Sequence, residues 1–180
     1  MLKHQFVTVR RAGLSLLAAA LLAGGAACAQ PGPAPVAVSG PGCVMDGPPQ
    51  AGLPVDTLTV QTARGPARFK VQIAADDATR EKGLMFVRKM APDEGMIFDF
   101  RVPQATAFWM HNTYIPLDLL FVQADGRILT IARNAPTCND GAIPSGGAVR
   151  TVIELNAGTA DRLGIKPGDV VTSEKIYPPR

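Results

Sequence analysis

Between Asp56 and Ile176, short runs with apolar residues at alternate positions recur about every ten residues, each closed by a turn signal. Side chains on a strand point alternately to opposite faces, so such a run buries its apolar face only by pairing with other strands. Leu58 and Val60 alternate with polar neighbours, as do Phe69, Val71 and Ile73, and Ala63-Arg64-Gly65-Pro66-Ala67 between them predicts a hairpin turn. Met96, Phe98 and Phe100 predict a third strand and Ala105 to Met110 a fourth. Leu117 to Val122 is apolar almost throughout, which predicts a strand buried on both faces. Asp125-Gly126 is a hairpin signal and leads into a returning strand from Ile128 to Ala132. After a loop from Pro136 to Gly147, strands follow at Val149 to Leu155 and Val170 to Ile176. Helical signals are few: Asp76-Asp77 supplies cap candidates for a short helix over Ala78 to Met85, and Thr159 to Leu163 is one or two turns closed by Gly164. No strand–helix alternation long enough for a doubly wound parallel sheet occurs. The expected fold is mainly β (α+β), a compact barrel- or sandwich-like sheet of about eight short strands with two short helices.

The first 29 residues follow different rules. Lys3, Arg10 and Arg11 precede an apolar run from Ala12 to Ala23, and small residues follow from Gly24 to Ala29. That layout predicts a secretory signal peptide over 1–29, with a run too short to span a bilayer. Cleavage after Ala29 leaves Gln30 first; the alternatives are a lipoprotein anchored at Cys28 and a twin-arginine signal at Arg10-Arg11. Residues 30–54 carry prolines 31, 33, 35, 41, 48, 49 and 54 among glycines and small residues, which predicts a flexible linker. Residues 55–180 make up a single domain. Three of the 18 basic residues and none of the 15 acidic ones lie in the signal, so the exported chain carries 15 of each. A net charge of zero does not favour a nucleic-acid surface. The expected location is periplasmic or secreted, with no transmembrane segment in the mature chain. In an oxidising compartment Cys43 and Cys138 are expected to pair; the alternative is two unpaired thiols.

The stretch Phe108-Trp109-Met110-His111-Asn112-Thr113-Tyr114-Ile115-Pro116-Leu117-Asp118 departs from simple alternation. It holds the only tryptophan, one of two histidines, an amide and a carboxylate among large apolar residues. Pro116 breaks a regular ladder because it lacks an N–H. A strand end opening into a ligand site accounts for this mixture, as does a buried turn whose Asn and Asp only satisfy backbone groups. The candidate ligand-binding residues are Met85, Phe86, Trp109, His111, Asn112, Tyr114 and Asp118. Trp109 and Tyr114 offer flat contact area with a polar handle, Asn112 and Asp118 offer hydrogen bonds, and His111 offers an imidazole. One histidine without a Cys or His neighbour does not make a metal site, so neither metal nor cofactor is expected. Met85, Met96 and Met110 read as gap-filling core residues, the alternative being a soft pocket lining or a thioether site for copper. No Gly-x-Ser-x-Gly elbow and no phosphate-cradling glycine loop occurs, and no residue is assigned a catalytic role.

A set of linked blocks then stands out: Gly83-Leu84-Met85-Phe86, Glu94-Gly95-Met96-Ile97-Phe98, Phe108 to Thr113, Ile115-Pro116-Leu117-Asp118, Pro136-Thr137-Cys138, Val152 to Gly158 and Leu163 to Asp169. In order and spacing they resemble the DUF192 family, also called UPF0127, over roughly Leu58 to Ile176. The resemblance implies a compact, mainly β domain of this length, often exported, without a defined activity. The family usually carries lysine at the position of His111. The functional expectation is an exported small-ligand-binding or accessory module of the bacterial cell envelope, with a small molecule or envelope component as its partner. The alternatives are a hydrolase or transferase acting on an envelope component through Asp118, Cys138 or His111, and a purely structural interaction domain.

Overall fold

The first two alternating runs meet as a hairpin, β1 (Val55–Thr62) antiparallel to β2 (Gly65–Ala74), with Leu58 opposite Phe69. The computed structural model describes residues 42–43 and 45–179; the expected signal peptide, Cys28 and the linker up to residue 41 lie outside the described residues. After β2 come α1 (Asp77–Lys82), β3 (Glu94–Phe108), β4 (Leu117–Val122), β5 (Ile128–Ala135), β6 (Ile143–Asn156), α2 (Thr159–Leu163) and β7 (Val170–Ser173). Among the described residues the strands form one sheet in the order β5-β4-β6-β3-β2-β1-β7. The domain is thus mainly β, and its strands number seven among the described residues because two expected ones are a single strand. β3 runs from Glu94 to Phe108, and its register against β6 shifts between Asp99 and Gln104, where Arg101 adopts φ +63°. A bulge of this kind lets one strand bend without ending. β6 also starts earlier than its apolar run suggests, because Ile143 and Pro144 pair with Phe108 and Ala107. All strand pairs are antiparallel except β2 and β3, which lie parallel with α1 in their connection.

The sheet curls until its far ends touch. Arg127, in the turn between β4 and β5, bridges to Val170 of β7, and the Val171 N–H donates to the Gly126 carbonyl at 2.8 Å. Gly126 sits at φ +86°, and a Cβ there would lie 2.7 Å from the Val171 carbonyl oxygen. Only glycine fits both the turn and the strand passing beside it. The inner face is filled from all seven strands, by side chains such as Leu58, Val71, Ile97, Leu120, Ile153 and Val171. The opposite face of the central strands carries a second core, including Met96, Phe98, Leu119, Phe121 and Val152, covered by Leu84, Met110 and Ile115 from the connecting segments. With a core on each side, β4 is buried along its whole length. Each fully buried side chain of this size contributes roughly 1.5–3 kcal/mol.

Two local features hold the second layer in place. Asp76 caps α1, accepting from the Thr79 N–H at 3.0 Å, and the Thr79 side chain closes the box on the Asp76 backbone. The described part of the expected linker is tied to the domain. Gln50 Nε2 donates to the carbonyls of Thr79 (3.1 Å) and Gly83 (2.8 Å), the Tyr114 hydroxyl donates to the Met45 carbonyl (2.7 Å), and Cys43 forms a disulfide with Cys138. Among the described residues, no helix is long and apolar enough to cross a membrane.

Candidate functional site

The bulge in β3 shapes the site. Asp99 Oδ1 accepts from the Arg101 N–H at 2.8 Å, and strand pairing resumes at Gln104. The bent strand carries Phe108 back to Phe98, with ring centroids 4.9 Å apart in an edge-to-face arrangement, and Phe100 meets Phe108 the same way at 6.3 Å. Opposite them, α1 ends at Gly83 with φ +46°, where a Cβ would stand 3.1 Å from the Phe98 ring. Glycine therefore allows the chain to turn down onto that ring and present Leu84 and Met85 as a second wall.

These walls line a cavity of about 220 Å³ that opens to solvent on one side. Trp109, 48% exposed, stands at its mouth with its indole 5.1 Å from the His111 imidazole. His111 Nδ1 lies 2.7 Å from Asp140 Oδ1, which fixes the ring. Thr106 and Thr113 add hydroxyls to the lining, and the Thr113 hydroxyl donates to the His111 carbonyl.

At the base of the cavity sits Glu154. It occupies the middle of β6, opposite Met96 of β3 and Leu119 of β4, so period-two geometry turns it with Val152 to the α1 side of the sheet. It is 4% exposed, and its carboxyl has no hydrogen-bond or ion-pair partner among the described residues. Burial without a compensating partner pushes that carboxyl up to about 8. Glu154 therefore carries a proton at neutral pH, in a space lined mainly by carbon.

Of the residues singled out from sequence, Met85, Trp109 and His111 line this cavity. The other four lie elsewhere. Asp118 is fully buried, with Oδ1 accepting from the Asn134 N–H (2.9 Å) and Oδ2 from the Ala160 N–H (2.8 Å), so its carboxylate joins β5 and α2 to β4. Asn112, at φ +48°, donates its N–H to the Gly42 carbonyl (2.6 Å) and accepts from the Phe86 N–H (2.9 Å), while Oδ1 faces the Met45 N–H at 3.4 Å. Tyr114 and Phe86 pack together with centroids 6.1 Å apart, and the Arg88 guanidinium covers the Tyr114 ring at 4.7 Å. The disulfide removes Cys138 as a thiol nucleophile. Sequence reasoning did not single out Glu154. The available signal was a lone acid inside the apolar run Val152-Ile153-Glu154-Leu155, where a solvated face is not expected.

These placements predict how two substitutions behave. Trp109→Ala removes a half-exposed ring, so it is expected to cost less than about 2 kcal/mol, against roughly 3–5 for a core tryptophan. Asn112→Ala removes a buried amide from a left-handed position and is expected to cost on the order of 1–3 kcal/mol. Urea denaturation of both variants checks the order; a larger loss for Trp109→Ala contradicts it.

The DUF192 family profile, described as an uncharacterized ACR, matches residues 58–173. Two solved structures are similar over most of the chain. One, from Sinorhizobium meliloti 1021, bears the name of a "putative transcription regulator"; it is 43% identical, with a TM-score of 0.68 over 69% of this chain and 98% of its own. The other is a protein of unknown function from Novosphingobium aromaticivorans DSM 12444, 39% identical, with a TM-score of 0.67 over 74% of this chain and 97% of its own. No curated protein matches. The profile covers more than half of the sequence, through the strands and turns that build the cavity, and the chain belongs to the DUF192 family.

Proposed function

We propose that this protein is an exported small-ligand-binding module of the bacterial cell envelope, and that its ligand site is the cavity above Glu154. The observation that carries the reading is the buried Glu154 carboxyl facing an aromatic-walled space without a partner among the described residues. Ligand sites combine apolar walls with a few directed polar groups, and perturbed ionisable groups cluster at such sites. Export is supported by the layout of residues 1–29 and by a disulfide suited to an oxidising compartment. Nucleic acid is no part of the proposal, because basic and acidic residues balance beyond the signal region.

The test is a thermal-shift screen with envelope sugars, short peptides and small amines, followed by Trp109 fluorescence. A compound that binds the native state alone raises the melting temperature by mass action, and one seated in the cavity also shifts the emission of the only tryptophan. A screen in which no compound moves either signal overturns the reading. The carboxyl held protonated at neutral pH also keeps a hydrolase or transferase in second place, since a general acid needs that state. Among the described residues the cavity lining contains no serine or cysteine, and its hydroxyls come from Thr106 and Thr113.

A further inference from the structure

Taking the cavity as the ligand site proposed above, we infer that it receives a small organic cation, an amine or quaternary ammonium group, held between the carboxylate of Glu154 and the rings of Phe98, Phe100, Phe108 and Trp109. All five residues line the same space. Aromatic rings attract cations through their quadrupole, most strongly where water is excluded. A neutral apolar ligand engages the rings but does nothing for the ionised form of a buried acid. A cation engages both, because its charge stabilises the carboxylate in surroundings that otherwise disfavour it. One wall already accepts a positive group: the Arg80 guanidinium carbon lies 5.4 Å from the Phe100 centroid.

The charges around Glu154 leave this role open. The cross-strand neighbours Met96 and Leu119 are uncharged. From α1, Arg80, Glu81 and Lys82 reach the lining, and from the segment after β3, His111. Arg80 pairs with Asp77 and donates to the Asp99 carbonyl at 2.9 Å, Lys82 Nζ lies 5.9 Å from the Phe86 ring centroid, and His111 pairs with Asp140. Among the described residues none forms an ion pair with Glu154.

Two probes of nearly equal shape test this with the full-length chain: choline, which is permanently charged, and 3,3-dimethyl-1-butanol, which replaces the ammonium by carbon. Calorimetric titration is expected to show choline binding at least about tenfold more tightly. Because the ligand needs the ionised acid, choline affinity should rise by up to about tenfold per pH unit from pH 6 and level off above pH 8, while the alcohol shows no such rise. Glu154→Gln, isosteric and uncharged, should abolish the pH dependence and cut the preference to the part that the rings supply. Trp109→Ala, at the mouth, should weaken choline several-fold more than the alcohol, which keeps the test decisive if the glutamine variant folds poorly. Equal binding of the two probes, indifferent to Glu154→Gln, overturns the cation and leaves the ligand site standing. Failure of both probes, while the thermal-shift screen yields a cavity ligand, also overturns the cation alone. If neither probe nor any screened compound binds, both readings fall.

Discussion

Glu154→Gln is expected to stabilise the free protein at pH 8 and to leave its stability unchanged near pH 4. The carboxyl sits at about 8 in the folded domain against an ordinary value of 4.5. Below pH 4.5 both folded and unfolded chains hold the proton, and the group makes no difference. As pH rises past 4.5 the unfolded chain releases its proton while the folded chain keeps it, so stability declines until the folded group also ionises near pH 8. At about 1.4 kcal/mol per pH unit of displacement, the total loss is on the order of 5 kcal/mol. Glutamine has the same shape and no charge to bury, so its curve should run parallel to the wild type below pH 4.5 and rise above it between pH 5 and 8. Subtracting the two curves cancels every other titrating group. A difference that does not change with pH contradicts the buried state of this carboxyl.

The second large effect belongs to the disulfide. Cys43 and Cys138 are 95 residues apart in sequence, so the bond closes most of the domain into one loop. Restricting an unfolded chain over a loop of about 100 residues removes entropy equivalent to roughly 4.7 kcal/mol, and measured effects are usually somewhat smaller. Reduction, or Cys43→Ser with Cys138→Ser, is therefore expected to cost about 3–5 kcal/mol in chemical denaturation. The Gly42 backbone bonds to the Cys138 carbonyl and to the Asn112 N–H, so the loss should loosen the segment that carries His111 as well. A cost below about 1 kcal/mol would mean that this staple adds little to the packing around it.

The parts of the fold legible in the sequence are those set by neighbours in the chain. The β1–β2 hairpin, the cap at Asp76, the turn at Asp125-Gly126 and the buried strand from Leu117 to Val122 follow from alternation and turn chemistry within about ten residues. The continuity of β3 is different. Arg101 and its neighbours read as a break, and only the long partner β6 shows that the strand resumes. In the central stretch, Asn112 and Asp118 are polar for partners that no local pattern announces: Gly42 and Phe86 for one, Asn134 and Ala160 for the other. The cavity was the least legible part. Phe98, Phe108, Met85 and Glu154 come together only because β3 bends and because the β2–β3 pairing is parallel, which carries α1 across the sheet.

The meeting of the sheet's two ends sets an order of events in time. β7 pairs with β1, its neighbour in space and the strand farthest from it in sequence. As the chain emerges from its N-terminus, β1 and β2 can zip early, but the outer edge of β1 stays unpaired until residues 170–173 arrive, and β3 likewise waits for β6. Contacts this distant in sequence slow folding, since the entropy of closing long loops is lost before the pairing is gained. The half-made sheet meanwhile offers an open edge to other chains. Refolding in vitro should accordingly take milliseconds to seconds rather than microseconds, with yield falling as protein concentration rises.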